Sequence, residues 1–167
     1  MIILGIDPGL RNMGFGIINI INEDPQLIDF GIISTNSDNP LEKRLKIIYN
    51  DMESVIQNYK PKAMSIEGTF FGKNVKSMMM LGHARGMALL GAAQAGIPVY
   101  EYSPRKIKQS VTGNGNATKE QVKFMVKNIL NLKINSIPDD ASDALAIAIC
   151  HTKQFRYDDW ISSWKIT

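Results

Sequence analysis

The order of strand-like and helix-like segments predicts an α/β fold, a mixed five-stranded sheet with helices on both faces. Two observations predict it. The chain opens with three short apolar runs joined by tight turns, the pattern of an antiparallel meander. From Leu41 onward the apolar spacing lengthens to the helical period, and short strand-like runs then alternate with helical ones.

Ile2 to Asp7 is an apolar run halted by Pro8-Gly9 and reads as a buried strand. Gly14 to Ile21 reads as the second strand and Gln26 to Ser34 as the third, with Asn22 to Pro25 as the turn between them. Leu41, Leu45, Ile48, Met52, Val55 and Ile56 share one helical face after the start signal Asn39-Pro40. Ala63 to Glu67 reads as a strand, Val75 to Ala95 as a long helix, and Ile97 to Tyr102 as the last strand after a Gly96 stop. Ser103 caps a short helix with Pro104 at its first position. Gly113 to Asn116 reads as a flexible loop. Thr118 and Gln121 form a capping box for a helix to about Leu130. Pro138 precedes a last helix from Asp139 to about Lys153. The expected division is one domain over 1–153 and a tail over 154–167, where neither period is clear.

A length of 167 residues favours a single domain and suffices to bury a core without staples. Apolar residues at 44% and charged residues at 21% place the chain with globular rather than disordered proteins. The single cysteine, Cys150, lies in the apolar run LAIAIC and reads as a small buried hydrophobe in a reducing compartment. One Cys and two separated His cannot close a zinc site. The opening MIILGIDPGL lacks a basic n-region, so no targeting signal is expected. Met78 to Gly96 is broken by His83, Arg85 and Gln94, which argues against a membrane span. A cytoplasmic protein is the expectation.

The net charge of +3 leans toward anionic partners. Basic residues cluster at Lys73, Lys76 and Arg85, at Arg105, Lys106 and Lys108, and at Lys119, Lys123 and Lys127. Each cluster is either an anion-binding surface or a solvated helix face.

The acids give the sharper pattern. Asp7 ends the first strand and Glu67 the fourth, so they stand side by side if those strands are neighbours. Asp140 and Asp143 are three apart in the last helix and share a face at about 100° per residue, with Ile147 four further on. Converging carboxylates raise one another's pKa unless a cation neutralises them. A donor set of hard oxygens favours Mg²⁺ or Mn²⁺. Two such ions hold the attacking water and the leaving oxygen of a phosphodiester displacement. The pattern alone leaves ordinary roles open as well: Asp7 as a turn residue, and Asp139 as a helix cap or dipole partner.

Four ordered stretches, GIDPGLRNMGFGII, SIEGTFFGKNVKSMMMLGHARG, YSPRKIKQSVTGNGNATKEQV and DDASDALAIAICH, make the chain similar to the RuvC family of Holliday junction resolvases over nearly its whole length. The resemblance implies an RNase H-like fold and a homodimer that needs Mg²⁺ or Mn²⁺. It implies symmetric nicking of two opposing strands of a four-way junction, in company with the RuvA–RuvB branch-migration complex. The family's four acids fall on Asp7, Glu67, Asp140 and Asp143, and its motif chooses Asp140 over Asp139. Its junction-stacking aromatic falls on Phe70 and its DNA-contacting lysines on Lys108 and Lys119. Gly68 and Thr69 depart from the bulkier pair common after the Glu, which bears on the local loop geometry.

These assignments suit the residue types. An aromatic directly after a strand end can stack on an unpaired base; Phe71 beside it reads equally as core. Ammonium groups flanking the Gly-Asn loop can reach phosphates as point charges. Gly82, Gly86 and the alanines of the long helix allow another backbone close, and Met78, Met79 and Met80 cannot all point inward. Part of that helix is therefore expected to meet a partner. A two-fold dimer would set two identical sites on two strands of a symmetric junction. His151 reads first as a charge near a helix end, with a place nearer the site as the alternative. Three other readings compete. The actin-like kinases and chaperones share G-I-D-x-G but need two such domains. A catalytically dead DNA-binding protein has no reason to keep all four acids. A related RNase H-like nuclease with another branched or hybrid substrate is the serious competitor.

Overall fold

The computed structural model describes residues 1–68, 74–134 and 136–164, with side chains through residue 154. Strands β1 (Ile2–Asp7), β2 (Asn12–Ile21) and β3 (Asp24–Ser34) form the antiparallel meander. Helix α1 (Leu41–Tyr59) leads to β4 (Ala63–Glu67), and α2 (Val75–Gln94) to β5 (Val99–Tyr102). Helices α3 (Pro104–Thr112), α4 (Lys119–Ile129) and α5 (Asp139–Trp164) complete the order. The sheet runs β3-β2-β1-β4-β5, with β4 and β5 joined in parallel to the meander.

Most elements start for the reason the sequence gives. Ser103 accepts from the Lys106 amide, and Thr118 and Gln121 make the reciprocal capping box. Several boundaries differ, and β2 begins at Asn12, two residues before Gly14. The β2–β3 turn is only Asn22-Glu23, both at positive φ, a pair of left-handed residues that matches strand twist in a two-residue hairpin. Strand β3 therefore begins at Asp24 and includes Pro25, tolerated because β3 is an edge strand. Strand β5 starts at Val99, two residues late, and α5 runs on to Trp164, past the Lys153 end that periodicity predicts.

The sheet divides two apolar cores. Leu4, Ile6, Ile17, Met64 and Ile66 face α1 and α2, while Ile3, Ile18 and Tyr102 face α3, α4 and α5. Strand alternation then forces a result. With Ile6 and Ile66 on the α2 face, Asp7 and Glu67 must lie on the α5 face.

The α5 face is also where the sheet has no side chains in the way. Gly5 pairs with Gly16, and Asp7 with Gly14. A methyl at Gly5 would stand 2.1 Å from the Ala144 carbonyl oxygen, and one at Gly14 only 1.9 Å from that of Asp140. The backbone of α5 rests directly on the backbone of β1 and β2, which only glycine permits. No helix among the described residues is long and apolar enough to cross a membrane.

Candidate active site

The register of β1 and β4 sets Ile6 beside Ile66, and so puts the last residues of both strands, Asp7 and Glu67, at one edge of the sheet. The glycine floor lets the first turn of α5 descend onto that edge, carrying Asp140 and Asp143. A cleft of about 210 Å³ opens there, lined by Asp7, Glu67, Lys108, Lys119 and Asp143, with Ile107 and Val122 among its apolar walls. Asp140 is not among the lining residues, yet its charge is felt by Asp7.

The electrostatics follow from this crowding. The Asp7 carboxyl is pushed up from 3.8 to about 7, by burial first and then by Asp143, Glu67 and Asp140. Glu67 is also raised, by burial and Asp143, while Lys119 and Lys108 pull it down. The Lys119 ammonium lies 3.3 Å from Asp143 Oδ2 and is held charged by that carboxylate. With its side chain 74% exposed, Lys119 is in a weak pair, easily exchanged.

Among the described residues no three His, Cys, Asp or Glu side chains converge closely enough to enclose one ion. The donor chemistry nevertheless fits a hard divalent cation: the acids at the cleft offer only oxygens, and a positive charge would relieve the burden on Asp7.

Other sequence expectations meet the structure variously. Asp139 turns away to Lys123, 2.6 Å from its Nζ, and that cation lowers its pKa. Phe70 and Phe71, with Thr69 and Lys73, lie outside the described residues. Cys150 is buried as expected. Two readings are corrected. Arg85 is not part of a basic surface cluster with Lys76: it is buried, bonded to Glu101 and to the Glu67 carbonyl. His151 is not a helix-end charge: α5 continues past it, it is buried, and its Nδ1 lies 2.7 Å from the Tyr102 hydroxyl. Sequence reasoning also missed Gly5 and Gly14 as a docking floor. A signal existed, since they and Gly16 fall on alternate residues of two adjacent strands.

A mixed 3-2-1-4-5 sheet with acids at the ends of β1 and β4, and more at the start of the helix above them, defines an RNase H-like protein with the makings of a carboxylate nuclease. Residues 3–151 match the family described as crossover junction endodeoxyribonuclease RuvC, and the chain belongs to that family. Relatives so named include one from Desulforamulus reducens, 47% identical over 92% of this chain and 94% of its own. Another, from Chloroflexus aurantiacus, is 49% identical over 89% of this chain and 90% of its own. Among solved structures, a Thermus thermophilus RuvC in complex with a Holliday junction substrate superposes with TM-score 0.89 at 34% identity, covering 95% of this chain and 96% of that one. The yeast mitochondrial Holliday junction resolvase Ydc2 shares the fold at TM-score 0.66 and 12% identity, over 97% of this chain and 85% of that one.

Proposed function

We propose that this chain is a Holliday junction resolvase that nicks two opposing strands of four-way DNA junctions symmetrically, by metal-dependent hydrolysis. One observation carries the reading: acids from β1, β4 and α5 meet at a lysine-flanked cleft, in a chain that belongs to the crossover junction endodeoxyribonucleases.

Asp7, Glu67, Asp140 and Asp143 are the residues that would hold the metal, Mg²⁺ or Mn²⁺, as a pair of ions. When bound, the metal supplies a water nucleophile at neutral pH and charge to stabilise the leaving oxygen. The chain's own residues do the rest. Asp7 would serve such an ion as the carboxylate, so whatever proton its raised pKa retains would leave to solvent. Lys119 exchanges Asp143 for a backbone phosphate, and Lys108 holds a neighbouring phosphate from the other wall. The apolar walls limit water around the reacting phosphodiester. Phe70 stacks at the junction centre.

Symmetric nicking needs two sites, and α2 supports a homodimer. Its outward face carries Val75, Met79 and Leu90, all exposed, beside Gly82 and Gly86, where a Cβ would meet nothing. An apolar stripe of small and flexible residues suits a second copy related by a two-fold axis. The division into a nuclease domain over 1–153 and an appended segment over 154–167 belongs to this proposal. So do a cytoplasmic setting and work alongside the RuvA–RuvB complex.

The test offers four-way junctions, flaps, plain duplex and RNA–DNA hybrid side by side with Mg²⁺. Paired symmetric nicks on the junction alone are expected, and Asp7→Asn should bind the junction without nicking it. Equal cleavage of hybrid or flap would assign the cleft to another RNase H-like nuclease.

A further inference from the structure

Arg85 stands in the buried stripe of α2 with Ala84, Ala88 and Ala92, and is 7% exposed. Burying a guanidinium is costly because it stays charged at every physiological pH. Its partners show what it does there. Nη2 lies 2.5 Å from Glu101 Oε1, on a side chain 56% exposed. Nη1 donates to the main-chain carbonyl of Glu67 at 2.7 Å.

That second bond falls on a peptide unit already held from the other side. The carbonyl of Glu67 and the N–H of Gly68 belong to one planar group. The Gly68 N–H donates to the Tyr102 carbonyl at 2.8 Å. Arg85 therefore completes a two-sided clamp on the plane that leaves Glu67, at the last residue where β4 is tied to β5. The orientation of that plane fixes the backbone torsion of Glu67, and with it the direction in which the side chain enters the cleft. The register agrees with this division: Ile66 pairs with Glu101 on the α2 face, and Glu67 with Tyr102 on the α5 face. The charged groups that act on the Glu67 carboxyl, Asp143, Lys119, Lys108 and its neighbour Asp7, all lie at the cleft. Arg85 works through geometry.

We propose that Arg85 is a positioning residue that aims the Glu67 carboxylate into the cleft by clamping its peptide plane, with Glu101 orienting the guanidinium. This rests on the reading of Glu67 as one of the acids of a junction nuclease. Arg85→Lys keeps the charge but loses the planar fork, so it cannot bond both partners in one geometry. Four measurements test it: junction binding without divalent ions, dimer state by sedimentation, the nicking rate at saturating junction with Mg²⁺, and Mn²⁺ binding by calorimetry without DNA. Expected are unchanged junction binding and dimer state, a nicking rate down about 10- to 100-fold, and Mn²⁺ affinity down about tenfold or more. Glu101→Gln, on an exposed side chain, carries the same test should Arg85→Lys not fold, with a loss near the lower end of that range. Unchanged rate and Mn²⁺ affinity in the folded variant overturn the proposal. So does a rate that falls only in step with junction binding or dimer loss. A wild-type protein that nicks no four-way junction would sink the underlying reading instead, a result the Mn²⁺ measurement tells apart.

Discussion

Replacing Asp7 by Asn should make the protein more stable at alkaline pH without divalent ions, even as it removes the proposed activity. The Asp7 carboxyl is raised from 3.8 to about 7 by burial and by three neighbouring acids. In the unfolded chain it titrates near its ordinary value. From about pH 4 to 7 the native state thus holds a proton that the unfolded state has released, and stability falls as pH rises through that window. At about 1.4 kcal/mol per pH unit, the displacement from 3.8 to about 7 corresponds to roughly 4 kcal/mol. That is an upper bound, because relaxation and water entry absorb part of it. A working figure of about 2 kcal/mol is roughly 4–8 °C in melting midpoint for a chain of this size. The assay is thermal unfolding by far-UV circular dichroism in EDTA at about pH 4 and about pH 8.5. Asp7→Asn should melt higher than wild type at the alkaline pH and equally at the acid one. Added Mg²⁺ should raise the wild type and narrow the gap, since a ligand of the native state stabilises it. Equal melting at the alkaline pH in EDTA would refute the reasoning, because the ionised carboxylate would then be under no strain.

Removing the Lys119 ammonium takes away a charge that lowers both Asp7 and Glu67. Lys119→Ala should therefore move the rise of nicking rate to higher pH and reduce the salt dependence of junction binding; an unmoved pH profile contradicts this. Gly14→Ala places a methyl 1.9 Å from the Asp140 carbonyl oxygen. It should destabilise the protein by about 1–3 kcal/mol in urea unfolding and lower the nicking rate more than junction binding. Met79→Glu puts a charge on the exposed apolar face of α2, where Met79 is 60% exposed. It should weaken dimerisation at least tenfold, about 1.4 kcal/mol, in sedimentation equilibrium, and turn paired nicks into single ones.

The sequence showed what depends on local chemistry. The acids at strand ends, the Ser103 cap and the Thr118–Gln121 box are all decided within a few residues, and the structure has them where the pattern puts them. It hid what depends on which neighbour arrives from elsewhere. Arg85 sits near Lys76 in the chain and looks like surface charge, yet its spacing to Ala88 and Ala92 puts it on the inward face. Its partner Glu101 lies on another strand, which no local pattern reveals. His151 resembles a helix-end charge only while α5 is thought to stop near Lys153. The choice of Asp140 over Asp139 was likewise beyond periodicity. Lys123, arriving from α4, engages Asp139.

The bare floor beneath α5 has a consequence for engineering tolerance. The gap between the sheet and the turn that carries Asp140 and Asp143 is set by main-chain atoms in close approach, Gly5 against Ala144 and Gly14 against Asp140. Contacts between main-chain atoms are kept when apolar side chains elsewhere are exchanged for others of like volume. Volume-conserving exchanges in both cores should therefore leave the acids little displaced, provided Gly5 and Gly14 are kept.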